Sequence, residues 1–121
     1  SYNANPASMG AAIDNVTGVN HDGYNMFAVL GGMRELGNTS AELHQKIIDK
    51  LKNFKKVVLL GEEWYDNKLV LPCGIERYSS FEDMLPHIPK NYEKNSIVLI
   101  KGSNFYGLKK IVAMLTEGMD V

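Results

Sequence analysis

Three short stretches of this chain combine polar side chains with the glycines or helix starts that ligand sites use. The first stretch, Ser1-Tyr2-Asn3-Ala4-Asn5-Pro6, leads into a predicted helix. Asn5 is a favourable N-cap residue, and Pro6 suits the first helical position, where its missing N–H costs nothing. Because the N–H groups at a helix N-terminus are unpaired, this stretch could bind an anion or a nucleotide. An ordinary capped helix without a ligand is the alternative.

The other two stretches each follow an apolar run. They are Gly31-Gly32-Met33-Arg34-Glu35-Leu36-Gly37 and Lys101-Gly102-Ser103. In the Lys101–Ser103 stretch, Lys101 supplies a cation, Gly102 permits close approach of the backbone, and Ser103 supplies a hydroxyl donor. This combination suits a phosphate or a carboxylate. A solvated lysine ahead of a helix cap is the alternative interpretation.

The motifs of a self-sufficient enzyme are missing from the sequence. It contains no Gly-x-x-x-x-Gly-Lys-Ser/Thr phosphate loop, no Gly-x-Gly-x-x-Gly fingerprint and no His-Glu-x-x-His zinc motif. It also lacks a nucleophile elbow and a carboxylate cluster that would hold Mg²⁺. His44 and His87 stand alone, which favours surface or packing roles. The sequence therefore predicts a binding domain with no catalytic residue and no metal site of its own.

Composition excludes several other classes of function. The chain has 121 residues, of which 45% are apolar, and a net charge of −1, as expected for a single globular domain. Nucleic-acid and anionic-membrane surfaces need an excess of basic residues. The single cysteine, Cys73, fits a reducing compartment. Since no signal peptide and no membrane span is visible, we expect a cytoplasmic protein.

Apolar periodicity predicts alternating helices and strands. The first helix carries an apolar stripe formed by Met9, Ala12, Ile13 and Val16. Thr39-Ser40-Ala41-Glu42 has the spacing of a capping box, Ser80 should cap a short third helix, and a last helix should end near Gly118. Strands are predicted over residues 24–30, 56–60, 75–78 and 96–100, with a further short strand over 68–71.

This alternation predicts an α/β fold with a mostly parallel sheet covered by helices on both faces. Ligands of such sheets bind outside the carboxyl ends of the strands. We therefore expect all three stretches to emerge at one edge, where Asn3, Asn5, Lys101 and Ser103 would line a polar rim.

All three stretches resemble, in the same order, motifs of the Mur ligase C-terminal domain. Tyr2-Asn3-Ala4-Asn5-Pro6 resembles the opening motif of that domain. Residues 27–37, Phe-Ala-Val-Leu-Gly-Gly-Met-Arg-Glu-Leu-Gly, resemble the second motif, and Leu43-His44 continues it. Residues 98–103, Val-Leu-Ile-Lys-Gly-Ser, resemble the last. The three matches together span nearly the whole chain.

The resemblance implies a Rossmann-like fold and a three-domain, ATP-dependent amide ligase. It implies that an N-terminal domain holds a UDP-sugar peptide and that a central domain holds the phosphate loop and Mg²⁺. The opening motif is most similar to the branch that adds D-alanyl-D-alanine to a UDP-N-acetylmuramoyl tripeptide. Candidate residues for binding ATP and substrate are Tyr2, Asn3, Asn5, Lys101 and Ser103, with Gly32, Arg34 and His44 as secondary candidates.

The chain also departs from the family pattern. Gly32 stands where the family usually has aspartate, and Asn104 stands where an arginine often follows the Lys-Gly-Ser motif. The family carries a strand immediately before the opening motif, which implies that the first strand is truncated here. Two alternatives remain open at this point: a related Mur or folylpolyglutamate-type ligase, and a non-catalytic α/β ligand-binding module. Ala4 disfavours the related ligases, which typically have histidine at that position.

The sequence generates a first testable expectation. The 121-residue chain alone should show no ligase or ATPase activity, because its sequence contains neither a phosphate loop nor a carboxylate cluster for Mg²⁺. The measurement is turnover of the purified chain with Mg-ATP, UDP-linked tripeptide and D-alanyl-D-alanine. Turnover above the blank would contradict the expectation.

Overall fold

In the part of the chain that the structure describes, the fold consists of four parallel strands and four helices. The computed structural model describes residues 5–19, 23–103 and 107–116. Its helices are α1 (Pro6–Val19), α2 (Ser40–Asp49), α3 (Phe81–Met84) and α4 (Lys109–Thr116), and its strands are β1 (Asn25–Gly31), β2 (Lys56–Leu60), β3 (Ile75–Tyr78) and β4 (Ser96–Lys101). Short 3₁₀ turns cover Gly37–Thr39, Glu62–Tyr65 and Leu85–His87.

The sheet has the order β3-β2-β1-β4, and every neighbouring pair is parallel. β1 lies in the interior, where Leu30 is opposite Leu59 of β2 on one side and Lys101 of β4 on the other. The near-continuous apolar character of β1 and β2 reflects this position, because strands inside a parallel sheet are buried on both faces. The predicted parallel α/β architecture is therefore confirmed.

Helices cover both faces of the sheet. Successive residues of a strand point to opposite faces, so Leu30 and Val29 of β1 lie in two different apolar clusters. The cluster around Leu30 includes Met9 of α1 and Ile47 of α2, whereas the cluster around Val29 includes Ile111 of α4. Among the described residues, no helix is long and apolar enough to cross a membrane.

Helix α1 confirms the apolar stripe predicted for it. Met9 and Ile13 are fully buried, and Val16 packs against the same cluster. An exposed ion pair of 2.9 Å joins Asp14 to Lys50, which directly follows α2. The C-terminal half of α1 therefore lies beside the end of α2.

Two local predictions were wrong. Thr39 does not cap α2, because it already has helical dihedral angles as the last residue of a 3₁₀ turn, and its hydroxyl instead donates to the carbonyl of Leu36 at 2.7 Å. No strand forms over residues 68–71. There, the side-chain amide of Gln45 accepts from the N–H of Val70 at 2.8 Å and donates to its carbonyl at 3.1 Å, so the backbone is satisfied without a neighbouring strand.

The remaining elements agree closely with expectation. Ser80 caps α3 by accepting from the N–H of Asp83 at 3.1 Å, and the proline at position 86 keeps that helix short. The spacing of Leu108, Ile111, Val112 and Leu115 predicts one buried stripe along the last helix, yet 46% of Val112 in α4 is exposed. Gly118 lies outside the described residues, and the truncation of a first strand stays a prediction.

Truncation of Ile13 tests whether α1 is held by its apolar stripe. Ile13→Ala removes a fully buried side chain, and such changes cost about 2–5 kcal/mol of unfolding free energy. Val19→Ala in the same helix is the matched control, since Val19 is 60% exposed and should lose less than about 0.5 kcal/mol. Urea denaturation of the two variants measures both values, and equal losses would contradict the packing described here.

Candidate functional site

The parallel sheet gathers three turns at one edge. The turns after β1, β2 and β4 all emerge where the strands end, and this side of the sheet is termed the carboxyl edge. Helix α2 begins there because it follows the turn after β1. Helix α1 ends five residues before β1 begins at the opposite edge, and it packs along the sheet through Met9, Ile13 and Val16. Asn5, at the start of α1, therefore lies towards the carboxyl edge, where Lys101 ends β4.

The ends of β1 and β4 approach each other closely at this edge. A Cβ atom added to Gly102 would lie 3.3 Å from the Cα of Gly31 and 2.6 Å from the Cδ1 of Leu108. Only glycine therefore fits at position 102 without displacing its neighbours. Its absence of a side chain allows the Lys101–Ser103 turn to pack directly against the end of β1.

Lys101 and Ser103 provide the polar groups of the β4 turn. Lys101 is half-buried at the last position of the strand. The hydroxyl of Ser103 is buried and has no hydrogen-bond partner among the residues described. A buried hydroxyl without a partner costs about 1–3 kcal/mol, so such a group calls for an explanation, and a ligand oxygen at this turn would supply its missing partner.

A pocket of about 270 Å³ opens beside Ser103. It is bounded on one side by Gly102 and Ser103 and on the other by Gly107 and the exposed residues Lys109 and Lys110, which begin α4. Two lysines at a helix start give the pocket a positive character that suits an anionic group.

Asn5 acts first as a helix cap. Its side-chain oxygen accepts from the N–H of Ser8 at 2.8 Å, while the hydroxyl of Ser8 accepts from the N–H of Asn5 at 3.1 Å. This reciprocal pair confirms the predicted N-cap and fixes the start of α1 at the carboxyl edge. Tyr2 and Asn3 lie outside the described residues, so their part in a rim stays a prediction.

His44 supports the site from inside the core. Its ring is fully buried, and Nδ1 donates to the carbonyl of Ser40 at 2.7 Å. Nε2 is therefore the unprotonated nitrogen, and it accepts from the N–H of Met33 at 2.9 Å. Both ring nitrogens are used within the chain. Of the two roles expected for His44, the structure shows packing, and direct ligand contact is not available to it in this arrangement.

Burial determines the protonation of His44. Desolvation lowers the pKa of His44 below its ordinary value, while the hydrogen bond to Ser40 and the charge of Glu63 act in the opposite direction. The ring of Trp64 meets the imidazole edge-on, with centroids 4.6 Å apart. The neutral ring is thus held on two sides and anchors the turn after β1 through Met33.

The turn after β1 continues into an exposed loop. The N–H of Gly32 still donates to the carbonyl of Leu60 at 2.9 Å, which extends the pairing with β2 by one residue. Beyond it, Arg34 is exposed, and Glu35 and Gly37 have φ angles of 65° and 60°. These left-handed residues turn the chain towards α2, so Arg34 lies at the outer limit of the carboxyl edge.

The turn after β2 was not among the stretches predicted to form the site. Its 3₁₀ turn, Glu62–Tyr65, buries Trp64 and places the Glu63 side chain against the backbone of Gly32. Gly61, directly after an apolar strand, was the one available signal. Within the described residues, no group of three or more histidine, cysteine, aspartate or glutamate side chains could hold a metal ion.

The sequence of this chain matches one known protein family. A profile of the family described as "Mur ligase, glutamate ligase domain" matches residues 1–104. The chain belongs to the Mur ligase family. All three sequence stretches fall inside the matched region.

Two curated relatives of this Mur ligase domain carry the same name. UDP-N-acetylmuramoyl-tripeptide–D-alanyl-D-alanine ligase of Rickettsia prowazekii is 35% identical over 118 residues, and that of Borreliella burgdorferi is 32% identical over 118 residues. These matches cover 92% and 93% of this chain but only 25% of each relative. The chain therefore spans about a quarter of the length of the relatives that it matches.

Solved structures confirm the fold of the domain. MurF ligase from Thermotoga maritima in complex with ADP superposes with a TM-score of 0.72 at 22% identity, covering 97% of this chain and 27% of that one. A MurF structure from Acinetobacter baumannii gives a TM-score of 0.70 at 25% identity, covering 97% of this chain and 26% of that one. The Rossmann-like expectation for this Mur ligase domain is thus supported by its fold neighbours.

The buried imidazole predicts a pH dependence of stability. Between the lowered pKa of folded His44 and the ordinary value of 6.5, the unfolded chain binds more protons than the folded chain. The unfolding free energy should therefore fall as the pH falls through this window, by at most about 1.4 kcal/mol per pH unit from this one group. His44→Gln should flatten the slope between pH 7.5 and 5.5.

Urea denaturation across that pH range measures the slope for both chains. The other titrating groups are the same in wild type and variant, so the difference between the two slopes isolates His44. Identical slopes would mean that His44 titrates alike in the folded and unfolded chains, contrary to its burial.

Proposed function

We propose that this chain is the C-terminal domain of an ATP-dependent ligase that joins D-alanyl-D-alanine to a UDP-N-acetylmuramoyl tripeptide. The names of the curated relatives support this assignment, as does the match of the family profile to most of the chain. In this proposal the remaining three quarters of the enzyme supply the other domains, and the enzyme acts in the cytoplasm.

One observation carries the proposal. At the carboxyl edge, Lys101 and the start of α1 lie on the same side of the sheet as the Ser103 hydroxyl, which has no partner among the described residues. A cation, a hydroxyl donor and a helix N-terminus all bind negatively charged oxygen. The phosphates of ATP and the carboxylates of the peptide substrates are ligands of this class. The ADP in the Thermotoga maritima neighbour is consistent with use of a nucleotide.

The proposed reaction proceeds through an acyl phosphate. The tripeptide carboxylate receives the γ-phosphoryl group of ATP, and the amine of the dipeptide then attacks the acyl carbon and displaces inorganic phosphate. Negative charge develops on the acyl oxygen in the tetrahedral intermediate. Lys101, held at the end of β4, would stabilise that charge or anchor a substrate carboxylate, and Ser103 would donate a hydrogen bond to the same group.

In this proposal another domain of the enzyme binds Mg²⁺. The described residues of this domain do not form a cluster of carboxylates, so they would not hold the metal by themselves. We assign the metal and the phosphate loop to the preceding central domain. The role of this chain is then to close over the nucleotide and to bind the incoming dipeptide.

The test of this proposal uses the full-length ligase. Lys101→Ala should lower amide formation roughly tenfold to a hundredfold, since a hydrogen bond to a charged group contributes about 1.5–3 kcal/mol. Lys52→Ala is the matched control, because exposed Lys52 precedes β2 and lies at the opposite edge of the sheet. Its activity should equal that of the wild type.

The assay measures phosphate release and product formation with Mg-ATP, tripeptide and dipeptide, and a thermal melt checks that each variant is folded. Equal activity of the Lys101 and Lys52 variants would contradict a ligand role for the carboxyl edge. A wild-type enzyme that accepts no D-alanyl-D-alanine but accepts another amino acid would identify a related ligase instead.

A further inference from the structure

The turns after β1 and β2 share one space at the carboxyl edge. A Cβ atom built on Gly32 would lie 2.9 Å from Cδ and 3.0 Å from Cβ of Glu63, and closer still to Oε1. Gly32 does not have a positive φ, so its backbone conformation does not require glycine. The requirement is space, and the carboxylate of Glu63 fills that space.

The chain holds Glu63 firmly in this place. Gly61 has a φ of 128°, which a residue with a side chain rarely adopts, and it redirects the backbone at the end of β2. The next residue after Glu63, Trp64, is fully buried against His44. Tyr65 then donates to the carbonyl of Arg77 at 2.8 Å. Glu63 thus lies between a fixed bend and two anchored aromatic side chains.

This carboxylate places a negative charge beside the end of β1. Glu63 contributes it from the turn after β2, at a point where Gly32 has no side chain. Glu63 is half-buried, so part of its side chain stays accessible at the edge. Its negative charge also raises the pKa of His44 against the effect of burial, which agrees with a carboxylate close to this turn.

Charge complementarity identifies the ligand group that Glu63 suits. Phosphates and carboxylates would be repelled by Glu63, whereas the dipeptide carries an ammonium group. Lys101 lies at the end of β4 and Glu63 follows β2, with β1 between them. Neighbouring strands are about 4.8 Å apart, so these strand ends are separated by about 10 Å. Because both side chains are flexible, they can adjust to the two ends of a zwitterion about 7 Å long.

We propose that Glu63 binds the ammonium group of the incoming dipeptide and so orients it along the carboxyl edge. This inference rests on the proposed ligase function. Glu63 then selects acceptors that carry a free amine at one end and a carboxylate at the other.

The kinetic test uses the full-length ligase and Glu63→Gln, which removes the charge and keeps the size. The KM for D-alanyl-D-alanine should rise roughly tenfold or more, because a hydrogen bond to a charged group is lost, while the KM for ATP stays within twofold. Glu62→Gln is the matched control, an exposed neighbour on the same 3₁₀ turn, and should behave as wild type.

An inhibitor separates charge recognition from a merely structural role. Propanoyl-D-alanine has the shape of the dipeptide without the ammonium group, and its inhibition constant should be the same for wild type and Glu63→Gln. Equal weakening of dipeptide and inhibitor would overturn the proposal, because Glu63 would then only shape the turn. A raised requirement for Mg²⁺ with an unchanged KM for the dipeptide would overturn it as well.

Relocation of the carboxylate tests the geometry directly. Gly32→Asp alone should destabilise the 121-residue chain through its collision with Glu63, and Gly32→Asp with Glu63→Ala should recover most of the melting temperature. In the full-length ligase the double variant should also recover dipeptide binding. A folded double variant whose KM remains as high as that of Glu63→Gln would contradict the proposal.

These outcomes distinguish failure of the proposed ligase function from failure of the proposed role of Glu63. A wild-type enzyme inactive with D-alanyl-D-alanine refutes the proposed function, whatever Glu63 does. An active wild type with an indifferent Glu63→Gln variant refutes only the role of Glu63.

Discussion

Parallel pairing of β1 with β2 on one side and β4 on the other is the constraint on which the candidate site depends. Hydrogen bonds in a parallel ladder fix both direction and register, so the last residues of these strands must lie side by side. Leu30, for example, lies between Leu59 and Lys101. Stretches that are far apart in sequence thereby become one polar edge, and neither the helices nor the loops could bring them together alone.

The close approach of neighbouring turns then restricts which residues can occupy the carboxyl edge. Gly102 packs against Gly31, and Gly32 leaves room for Glu63, so two of the glycines in the motifs are explained by space and not by flexibility. His44 stabilises the turn after β1 from the core. Its Nε2 accepts from the N–H of Met33, and its Nδ1 donates to the carbonyl of Ser40. A buried, neutral imidazole is suited to this task because it satisfies one donor and one acceptor without introducing a charge.

Much of the fold followed from local patterns, and the failures have physical causes. β2 and β3 occur where they were predicted, because short apolar runs bounded by turn residues reflect burial. β1 is shifted by one residue at both ends, and β4 extends one residue further than predicted. The strand expected at residues 68–71 does not form, because the side chain of Gln45, distant in sequence, hydrogen-bonds to both the N–H and the carbonyl of Val70. Thr39 failed as a cap because the preceding 3₁₀ turn already determines its conformation.

The candidate site was less predictable than the fold. Lys101 and Ser103 were recognisable because a cation, a glycine and a hydroxyl follow a clear strand. The meeting of Gly32 and Glu63 depends on how β1 and β2 pair, and no local spacing encodes such a contact. The burial of His44 was likewise hidden, because a histidine on an amphipathic helix has the same sequence pattern whether it faces solvent or a neighbouring turn.

The most direct test of the central claim, that the carboxyl edge is the ligand-binding face, is a crystal structure of the full-length ligase with a non-hydrolysable ATP analogue and D-alanyl-D-alanine. The account predicts ligand oxygens within about 3 Å of Lys101 Nζ or Ser103 Oγ. Ligands that meet this chain at the opposite edge, near Lys52 and the start of β2, would contradict it.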